Sequence, residues 1–254
     1  MSEVRSLIGK ISMVTGGSGD IGRAIARRLA MSGSTVVVTY EGAEDRAEQT
    51  LKEIGDEGGK STKIQLDQRD PGSIEAAVKS IEDQFGQLDI LVNNAAWNIG
   101  IPFPELEKLT PEIWDRVLET NLRAPFLLAR SAASLLREGG GHIVNISSAG
   151  GITPGSSSIA YSSSKAGLNH LTRCLAVAMA PDVAVNCVAP GLVEDTRMAN
   201  RLPEAVSNGA RRQAILGRVG QVADIAEQVL TFVTSTSVTG QTMVVDGGLP
   251  AAMR

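Results

Sequence analysis

One short stretch of the chain carries residue types that could perform acid–base chemistry. Tyr161 and Lys165 lie four residues apart in a segment with helical spacing, so their side chains should share one face. An ammonium group beside a phenol favours the phenolate, so the pair predicts a lowered Tyr161 pKa and proton transfer near neutral pH. Ser148 follows the strand-like run 142–146 and could hydrogen-bond the same substrate oxygen. The alternative is an ordinary helical tyrosine next to an ordinary surface lysine.

The composition excludes several classes of function. The chain has 254 residues, and its net charge of −4 at pH 7 disfavours a nucleic-acid surface. It has no apolar run of membrane-spanning length, and its first residues lack the apolar core of a signal peptide, so we expect a cytoplasmic protein without a membrane span. The two cysteines and two histidines form no metal-ligand pattern, which predicts free thiols and no metal site.

Strand-length apolar runs alternate with helix-period segments along the whole chain. This alternation predicts a parallel sheet with helices on both faces, formed by a single domain over residues 1–254. The long irregular segment 191–215, called the lid below, is predicted to cover the site. The predicted strands are 11–15, 35–39, 63–66, 88–92, 143–146, 183–188 and 242–245. The predicted helices are 21–31, 44–57, one that Ser73 caps and that reaches Phe85, one from Thr110 to about Arg137, 159–180 and 224–233.

The turn after the first strand is rich in glycine and reads TGGSGDIG over residues 15–22. Glycines at a strand-to-helix turn let main-chain N–H groups approach a diphosphate, although such a turn alone is weak evidence. The second strand ends at Tyr40 and Glu41, with no cation before Arg46. Because Glu41 would repel a 2′-phosphate and could accept a ribose hydroxyl, we predict NAD as the cofactor, with NADP as the alternative. Glu41 could also simply face solvent.

Six motifs occur along the chain in a recognisable order. They are TGGSGDIG, Asn93-Asn94-Ala95-Ala96, Asn121, Ser148, Tyr161-x-x-x-Lys165 and Val188-Ala189-Pro190-Gly191. In this order and spacing the chain resembles the short-chain dehydrogenase/reductase family, from about Leu7 to Leu249, and within it the 3-oxoacyl-acyl-carrier-protein-reductase-like and glucose-dehydrogenase-like subgroup. The resemblance implies a Rossmann-like doubly wound α/β fold with strand order 3-2-1-4-5-6-7 and a homotetramer. It also implies hydride transfer between a nicotinamide cofactor and an alcohol or ketone.

The resemblance also implies four catalytic roles. Tyr161 is expected to be the acid/base, Ser148 to orient the substrate oxygen, and Lys165 to hold the nicotinamide ribose and lower the Tyr161 pKa. The main-chain carbonyl of Asn121 is expected to hold a relay water. Pro125 supports this last role because it has no N–H to offer the carbonyl four residues earlier.

Further residues are expected to contact the cofactor or the substrate. The predicted cofactor contacts are Gly16, Ser18, Asp20, Ile21, Gly22, Tyr40, Glu41, Asp67, Gln68, Asn93, Ala95, Tyr161, Lys165, Pro190, Gly191, Val193 and Thr196. The predicted substrate contacts are Trp97, Ser148, Pro154, Gly155 and Tyr161. Asp20 departs from the family, which has a glycine there, and its charge is expected to weaken cofactor binding. His142 and Cys187 match no family role and are expected to be structural.

The sequence leaves the substrate open. A small free alcohol or ketone is favoured over a 3-oxoacyl chain on acyl carrier protein, because the helix ends that dock the carrier in that subgroup offer only Arg137 here. Five arginines in 191–218 hint at an anionic substrate, although a solvated basic face is the favoured explanation. A non-catalytic cofactor-binding protein and a nucleotide-sugar epimerase or dehydratase are the remaining alternatives. The latter usually needs a longer C-terminal substrate domain.

Overall fold

Seven parallel strands form the central sheet of the computed structural model, which describes residues 6–252. Their order is β3-β2-β1-β4-β5-β6-β7, and every neighbouring pair is parallel, as predicted. The strands are β1 (Ile11–Val14), β2 (Thr35–Tyr40), β3 (Lys60–Gln65), β4 (Ile90–Asn93), β5 (His142–Ile146), β6 (Ala184–Pro190) and β7 (Thr242–Val245).

Nine α-helices within the described residues cover both faces of this sheet. They are α1 (Asp20–Met31), α2 (Glu44–Asp56), α3 (Pro71–Phe85), α4 (Pro111–Leu118), α5 (Ala124–Ser131), α6 (Ala133–Glu138), α7 (Ile159–Met179), α8 (Glu204–Gln213) and α9 (Val222–Thr234). Alternate strand residues face opposite sides. Val14 and Val38 therefore pack in one core with α1, α2 and α9, while Met13 and Val37 pack in the other with α3 and α5–α7. The doubly wound α/β prediction is confirmed.

The long helix predicted from Thr110 to about Arg137 is wrong as one continuous element. Thr110 caps it as predicted, with its Oγ1 accepting from the N–H of Ile113 at 3.5 Å. After α4 the chain forms a π-helical turn over Glu119–Arg123 and then continues as α5 and α6. Because Pro125 follows this turn and lacks an N–H, a regular α-helical hydrogen-bond ladder cannot continue through it. The break places Asn121 in the widened turn.

Three other boundaries differ from the prediction. Helix α3 begins at Pro71 and Asp70 is its cap, whereas the Ser73 hydroxyl accepts from the Asp67 N–H at 3.0 Å. Strand β3 begins at Lys60 because it pairs along the whole of β2, a long-range contact that its polar sequence does not signal. The lid contains α8, which buries no residue and therefore lacks an apolar stripe. The remaining ends shift by at most two residues.

The described residues contain neither a membrane-spanning helix nor a cluster of metal ligands. Between residues 6 and 252, no helix combines the length and the apolar character needed to cross a membrane. In the same range, no three His, Cys, Asp or Glu side chains are grouped so that they could hold a metal ion. Cys174 is exposed and Cys187 is buried, and both are free thiols.

Candidate active site

A cleft of about 590 Å³ opens at the carboxyl ends of the strands, where the strand order reverses between β1 and β4. This switch point is where doubly wound folds bind nucleotides, and the volume suits a ligand of that size. Twelve of the predicted cofactor residues line the cleft: Gly16, Ser18, Asp20, Ile21, Gly22, Tyr40, Glu41, Asp67, Gln68, Ala95, Val193 and Thr196. Asn93, Tyr161, Lys165, Pro190 and Gly191 do not line it. Instead, the Asn93 amide donates to Asn145 inside the core, at 2.8 Å.

The glycine-rich turn is fixed by side chains from two neighbouring strands. Gly16 has a φ of +60°, which favours glycine, and its N–H donates to the Thr39 hydroxyl at 3.2 Å. The Asn94 amide donates to the carbonyls of Thr15 and Gly16, at 2.9 and 3.2 Å. Helix α1 then begins without a side-chain cap, so its first N–H groups remain available to an anion. The arrangement fits the diphosphate of a dinucleotide.

Gly22 should be the least replaceable residue of this turn. A Cβ at Gly22 would lie 2.3 Å from the Gly16 carbonyl oxygen and 2.6 Å from the Asn94 amide nitrogen. We expect Gly22→Ala to lower the free energy of unfolding by about 2 kcal/mol or more and to weaken nucleotide binding. Urea denaturation and calorimetry measure both effects. Gly55→Ala, in α2 with no atom within 4 Å of the added Cβ, should raise the free energy of unfolding by about 0.5–1 kcal/mol. An unchanged Gly22→Ala protein would contradict the packing argument.

Ser148, Tyr161 and Lys165 are brought together in the core beside this cleft. The Ser148 side chain lies next to the Tyr161 phenol and acts to lower its pKa. The Lys165 ammonium lies 5.7 Å from the centre of the Tyr161 ring and donates to the Ile146 carbonyl at 2.8 Å. All three side chains are buried, Lys165 with only 2% of its surface exposed. The Ser147 hydroxyl further joins β5 to α7 by donating to the Lys165 carbonyl at 3.0 Å.

The predicted lowering of the Tyr161 pKa by Lys165 is wrong for this structure. Burial raises the pKa of Tyr161 above its ordinary value, and the Ser148 side chain only partly opposes that rise. Burial also lowers the pKa of Lys165 to about 8, although its neighbour Cys187 acts in the opposite direction. The physical reason is that the ammonium is bound to the Ile146 carbonyl and not to the phenol oxygen, so desolvation outweighs attraction.

Asn121 is connected by its side chain to both the cleft wall and α7. Its Oδ1 accepts from the Trp97 N–H at 2.8 Å, and its Nδ2 donates to the Trp97 carbonyl at 2.9 Å. Nδ2 also donates to the Ser164 hydroxyl at 3.2 Å, which in turn donates to the Tyr161 carbonyl at 2.7 Å. The side chain is therefore used for structure, which leaves only the main-chain carbonyl for the predicted relay. The availability of that carbonyl stays a prediction.

The predicted substrate walls meet at Asn98, a residue that the sequence analysis missed. The Ser157 hydroxyl donates to the Asn98 Oδ1, and the Asn98 amide donates to the Met198 sulfur of the lid at 3.2 Å. Pro154 and Gly155 lie in the exposed loop before α7, outside the lining of the cleft. Nothing in the sequence around Asn98 distinguishes it from a solvated loop residue.

Three arginines also line the cleft, and two of them were not expected there from the sequence. Arg46, Arg69 and Arg116 all line it. The Arg116 guanidinium stacks 4.4 Å above the ring of Trp97, the one predicted substrate residue that lines the cleft. Arg69 and Arg116 look like ordinary surface arginines in the sequence, and only the fold brings them to the cleft.

The fold, the glycine turn and the buried Ser-Tyr-Lys group together define a nucleotide-dependent oxidoreductase of the Rossmann-like class. Residues 17–250 match the family model described as enoyl-(acyl carrier protein) reductase. The chain therefore belongs to the short-chain dehydrogenase/reductase family. It is 38% identical over 248 residues to the 3-oxoacyl-(acyl-carrier-protein) reductase FabG of Aquifex aeolicus (strain VF5), covering 96% of this chain and 98% of that one.

Solved structures of the family agree with this assignment. A dehydrogenase/reductase from Sinorhizobium meliloti 1021 superposes with a TM-score of 0.89 at 38% identity, covering 98% of this chain and 97% of that one. A short-chain dehydrogenase from Burkholderia cenocepacia J2315, solved in complex with NADP, superposes with a TM-score of 0.88 at 35% identity, covering 97% and 100%. The family assignment made from the six sequence motifs is confirmed.

Proposed function

We propose that this chain exchanges hydride between NAD(H) and the carbinol or carbonyl carbon of a small, free alcohol or ketone. The observation that carries the proposal is the burial of Ser148 and Tyr161 next to each other, with the Lys165 ammonium 5.7 Å from the centre of the Tyr161 ring. The bound nicotinamide would supply or accept the hydride. The side chains of this site supply only the proton and the orientation of the substrate.

Each of the four predicted catalytic residues has a distinct part in this proposal. The Ser148 hydroxyl would hold the substrate oxygen, and the Tyr161 Oη would give or take its proton. The Lys165 ammonium would turn from the Ile146 carbonyl to the nicotinamide ribose. The Asn121 carbonyl, in the π-helical turn, would accept a hydrogen bond from the water that relays the proton.

Glu41 supports NAD as the cofactor. It lies at the end of β2 and lines the cleft, where a carboxylate repels a 2′-phosphate and accepts a ribose hydroxyl. Arg46 and Arg69 line the same cleft and favour the alternative, NADP, which is the ligand of the Burkholderia cenocepacia relative. The two cofactors therefore have to be compared directly.

We expect Glu41→Ala to shift the ratio of kcat/KM for NAD to that for NADP by about tenfold toward NADP, because it removes the repulsion. Parallel assays that follow the absorbance of the reduced nicotinamide measure this ratio. Asp45→Asn, in the first turn of α2 and outside the lining of the cleft, removes a similar charge and should leave the ratio unchanged. A wild-type preference for NADP that Glu41→Ala does not alter would refute the ribose assignment.

The second candidate substrate is a 3-oxoacyl chain on acyl carrier protein. The 38% identity to the Aquifex aeolicus reductase favours it. Against it, the Arg137 guanidinium donates to the Ala178 carbonyl near the end of α7, at 3.2 Å, so it is engaged within the chain. A panel of free alcohols, ketones and polyols, assayed beside a 3-oxoacyl carrier and its free thioester, separates the two candidates. Faster turnover of the carrier-bound substrate would establish the second. No turnover of any member, with cofactor binding intact, would favour the non-catalytic alternative.

We further propose that the whole chain acts as one cytoplasmic domain with a mobile lid over residues 191–215, assembled as a homotetramer. An apolar depression lined by Leu118, Leu122, Phe126 and Leu171 lies across α4, the π-helical turn, α5 and α7, and Phe126 is 43% exposed. Such a surface is suited to packing against a second copy. Light scattering after size-exclusion chromatography gives the number of copies.

A further inference from the structure

An ion pair between Asp20 and Arg197 connects the lid to the glycine-rich turn. Asp20, the first residue of α1, accepts from the main-chain N–H of Arg197 at 2.8 Å. It also accepts from the Arg197 Nε, at 3.2 Å to Oδ1 and 3.3 Å to Oδ2. Asp20 occupies the position where the family has a glycine, and Arg197 directly follows the predicted nicotinamide contact Thr196.

The ion pair with Arg197 offsets the repulsion that the Asp20 carboxylate would exert on a bound diphosphate. An unpaired carboxylate at the start of α1 would repel the anion that the helix N-terminus attracts. Here the guanidinium lies against that carboxylate, and its Nη2 is 3.9 Å from where a Cβ on Gly19 would be. Among the described residues, none accepts a hydrogen bond from either terminal nitrogen of Arg197. Both remain free to donate to phosphate oxygens above the turn.

Building on the proposed function, we propose that Arg197 binds the diphosphate of the dinucleotide and that Asp20 is the positioning residue that holds it there. Asp20 stands where the family has a glycine, and it holds a cation of the lid next to the glycine-rich turn. The Thr196 hydroxyl donates to the Val193 carbonyl at 2.9 Å and accepts from the Ala199 N–H at 3.1 Å. Because these bonds make the adjoining turn rigid, fastening Arg197 also fixes Thr196 at the cleft.

The geometry of the ion pair between Asp20 and Arg197 makes it stronger than the exposure of the two side chains suggests. Arg197 is half exposed and Asp20 is 28% exposed, and ion pairs of that kind usually contribute little. Here, however, one carboxylate accepts from both a main-chain and a side-chain donor, and a planar guanidinium keeps its free N–H groups in a fixed direction. The contact therefore orients the Arg197 guanidinium as well as neutralising the Asp20 carboxylate.

The test compares ADP-ribose, which carries the diphosphate, with adenosine, which lacks it, by calorimetry. Restoring the family's glycine with Asp20→Gly should weaken ADP-ribose binding about tenfold, and so should Arg197→Ala, while adenosine binding is unchanged. The double variant should be no weaker than Arg197→Ala alone, because the two residues act as a unit. Arg211→Ala is the matched control, since Arg211 pairs with Glu194 at 2.6 Å within the lid and outside the cleft, and it should bind ADP-ribose normally.

A second measurement needs no nucleotide. Hydrogen exchange at the Arg197 main-chain amide should be slow in the wild type and at least tenfold faster in Asp20→Gly and in Asp20→Ala, which both lack a side-chain acceptor. Tighter or unchanged ADP-ribose binding in Asp20→Gly, or additive losses in the double variant, would overturn the inference and leave the proposed function intact. A wild type that binds neither NAD nor ADP-ribose would overturn the proposed function together with the cation role of Arg197. The amide exchange would still show whether Asp20 holds the lid.

Discussion

Tyr161→Phe should lower kcat about a thousandfold while nucleotide affinity changes little. In the proposed mechanism the phenol transfers the proton to or from the substrate oxygen, and general acid–base catalysis of this kind contributes factors of about 10²–10⁴. Phenylalanine keeps the buried ring and removes only the hydroxyl that lies next to Ser148. Single-turnover kinetics with a saturating cofactor, beside calorimetry of cofactor binding, separate the chemical step from binding.

The control for Tyr161→Phe is chosen from the same helix. Ser163→Ala removes an exposed hydroxyl two residues along α7 and should retain wild-type kcat. Ser148→Ala should also lower kcat strongly, and the double variant should lose less than the product of the two single losses because the residues act on one oxygen. Turnover close to that of the wild type in Tyr161→Phe would remove Tyr161 from the mechanism.

Lys165→Met should change the pH dependence of stability. The pKa of Lys165 is about 8 in the folded protein and about 10.4 in an unfolded chain, so above pH 8 the unfolded state binds more protons. The free energy of unfolding of the wild type, relative to Lys165→Met, should therefore rise between pH 8 and 10.5, by an upper limit of about 3 kcal/mol. Below pH 8 the full cost of burying the ammonium is present.

Urea denaturation at several pH values from 7 to 10 measures that difference. Taking the difference between the two proteins is necessary because burial also raises the pKa of Cys187 to about 11, which acts in the opposite direction above pH 9. Lys108→Met, at an exposed position, controls for the loss of a lysine charge. A difference that stays constant with pH would show that Lys165 is not desolvated as the structure describes.

The fold was predictable because its signals are local. Runs such as Thr35–Tyr40 are apolar and β-branched, and the glycines at residues 16–22 mark the first strand-to-helix turn, so the order of elements follows from the sequence. The π-helical turn, helix α8 and the start of β3 were not predicted. Each depends on a non-local condition: a proline that interrupts a hydrogen-bond ladder, a helix with no buried face, or a polar strand paired to a buried one.

The candidate site was predicted more completely in its residues than in its electrostatics. Sequence motifs brought Ser148, Tyr161 and Lys165 together, but spacing along a helix does not show that Lys165 binds the Ile146 carbonyl. Burial sets the direction in which both pKa values move, and it became visible only in three dimensions. In the same way, Asn98 and Arg116 reach the site through packing that no local pattern encodes.

The contact between Asp20 and Arg197 also has a consequence for how such a chain can change over time. If a carboxylate at position 20 is acceptable only with a cation at position 197, the two positions form an epistatic pair. We then expect Asp to be harmful in a homologue that has glycine at position 20 and no cation at position 197, and Arg197 to lose part of its value once glycine is restored. Libraries that vary both positions together should show that only certain pairs of residues keep nucleotide affinity. Such pairs would allow the affinity for the cofactor to change while Ser148, Tyr161 and Lys165 stay fixed.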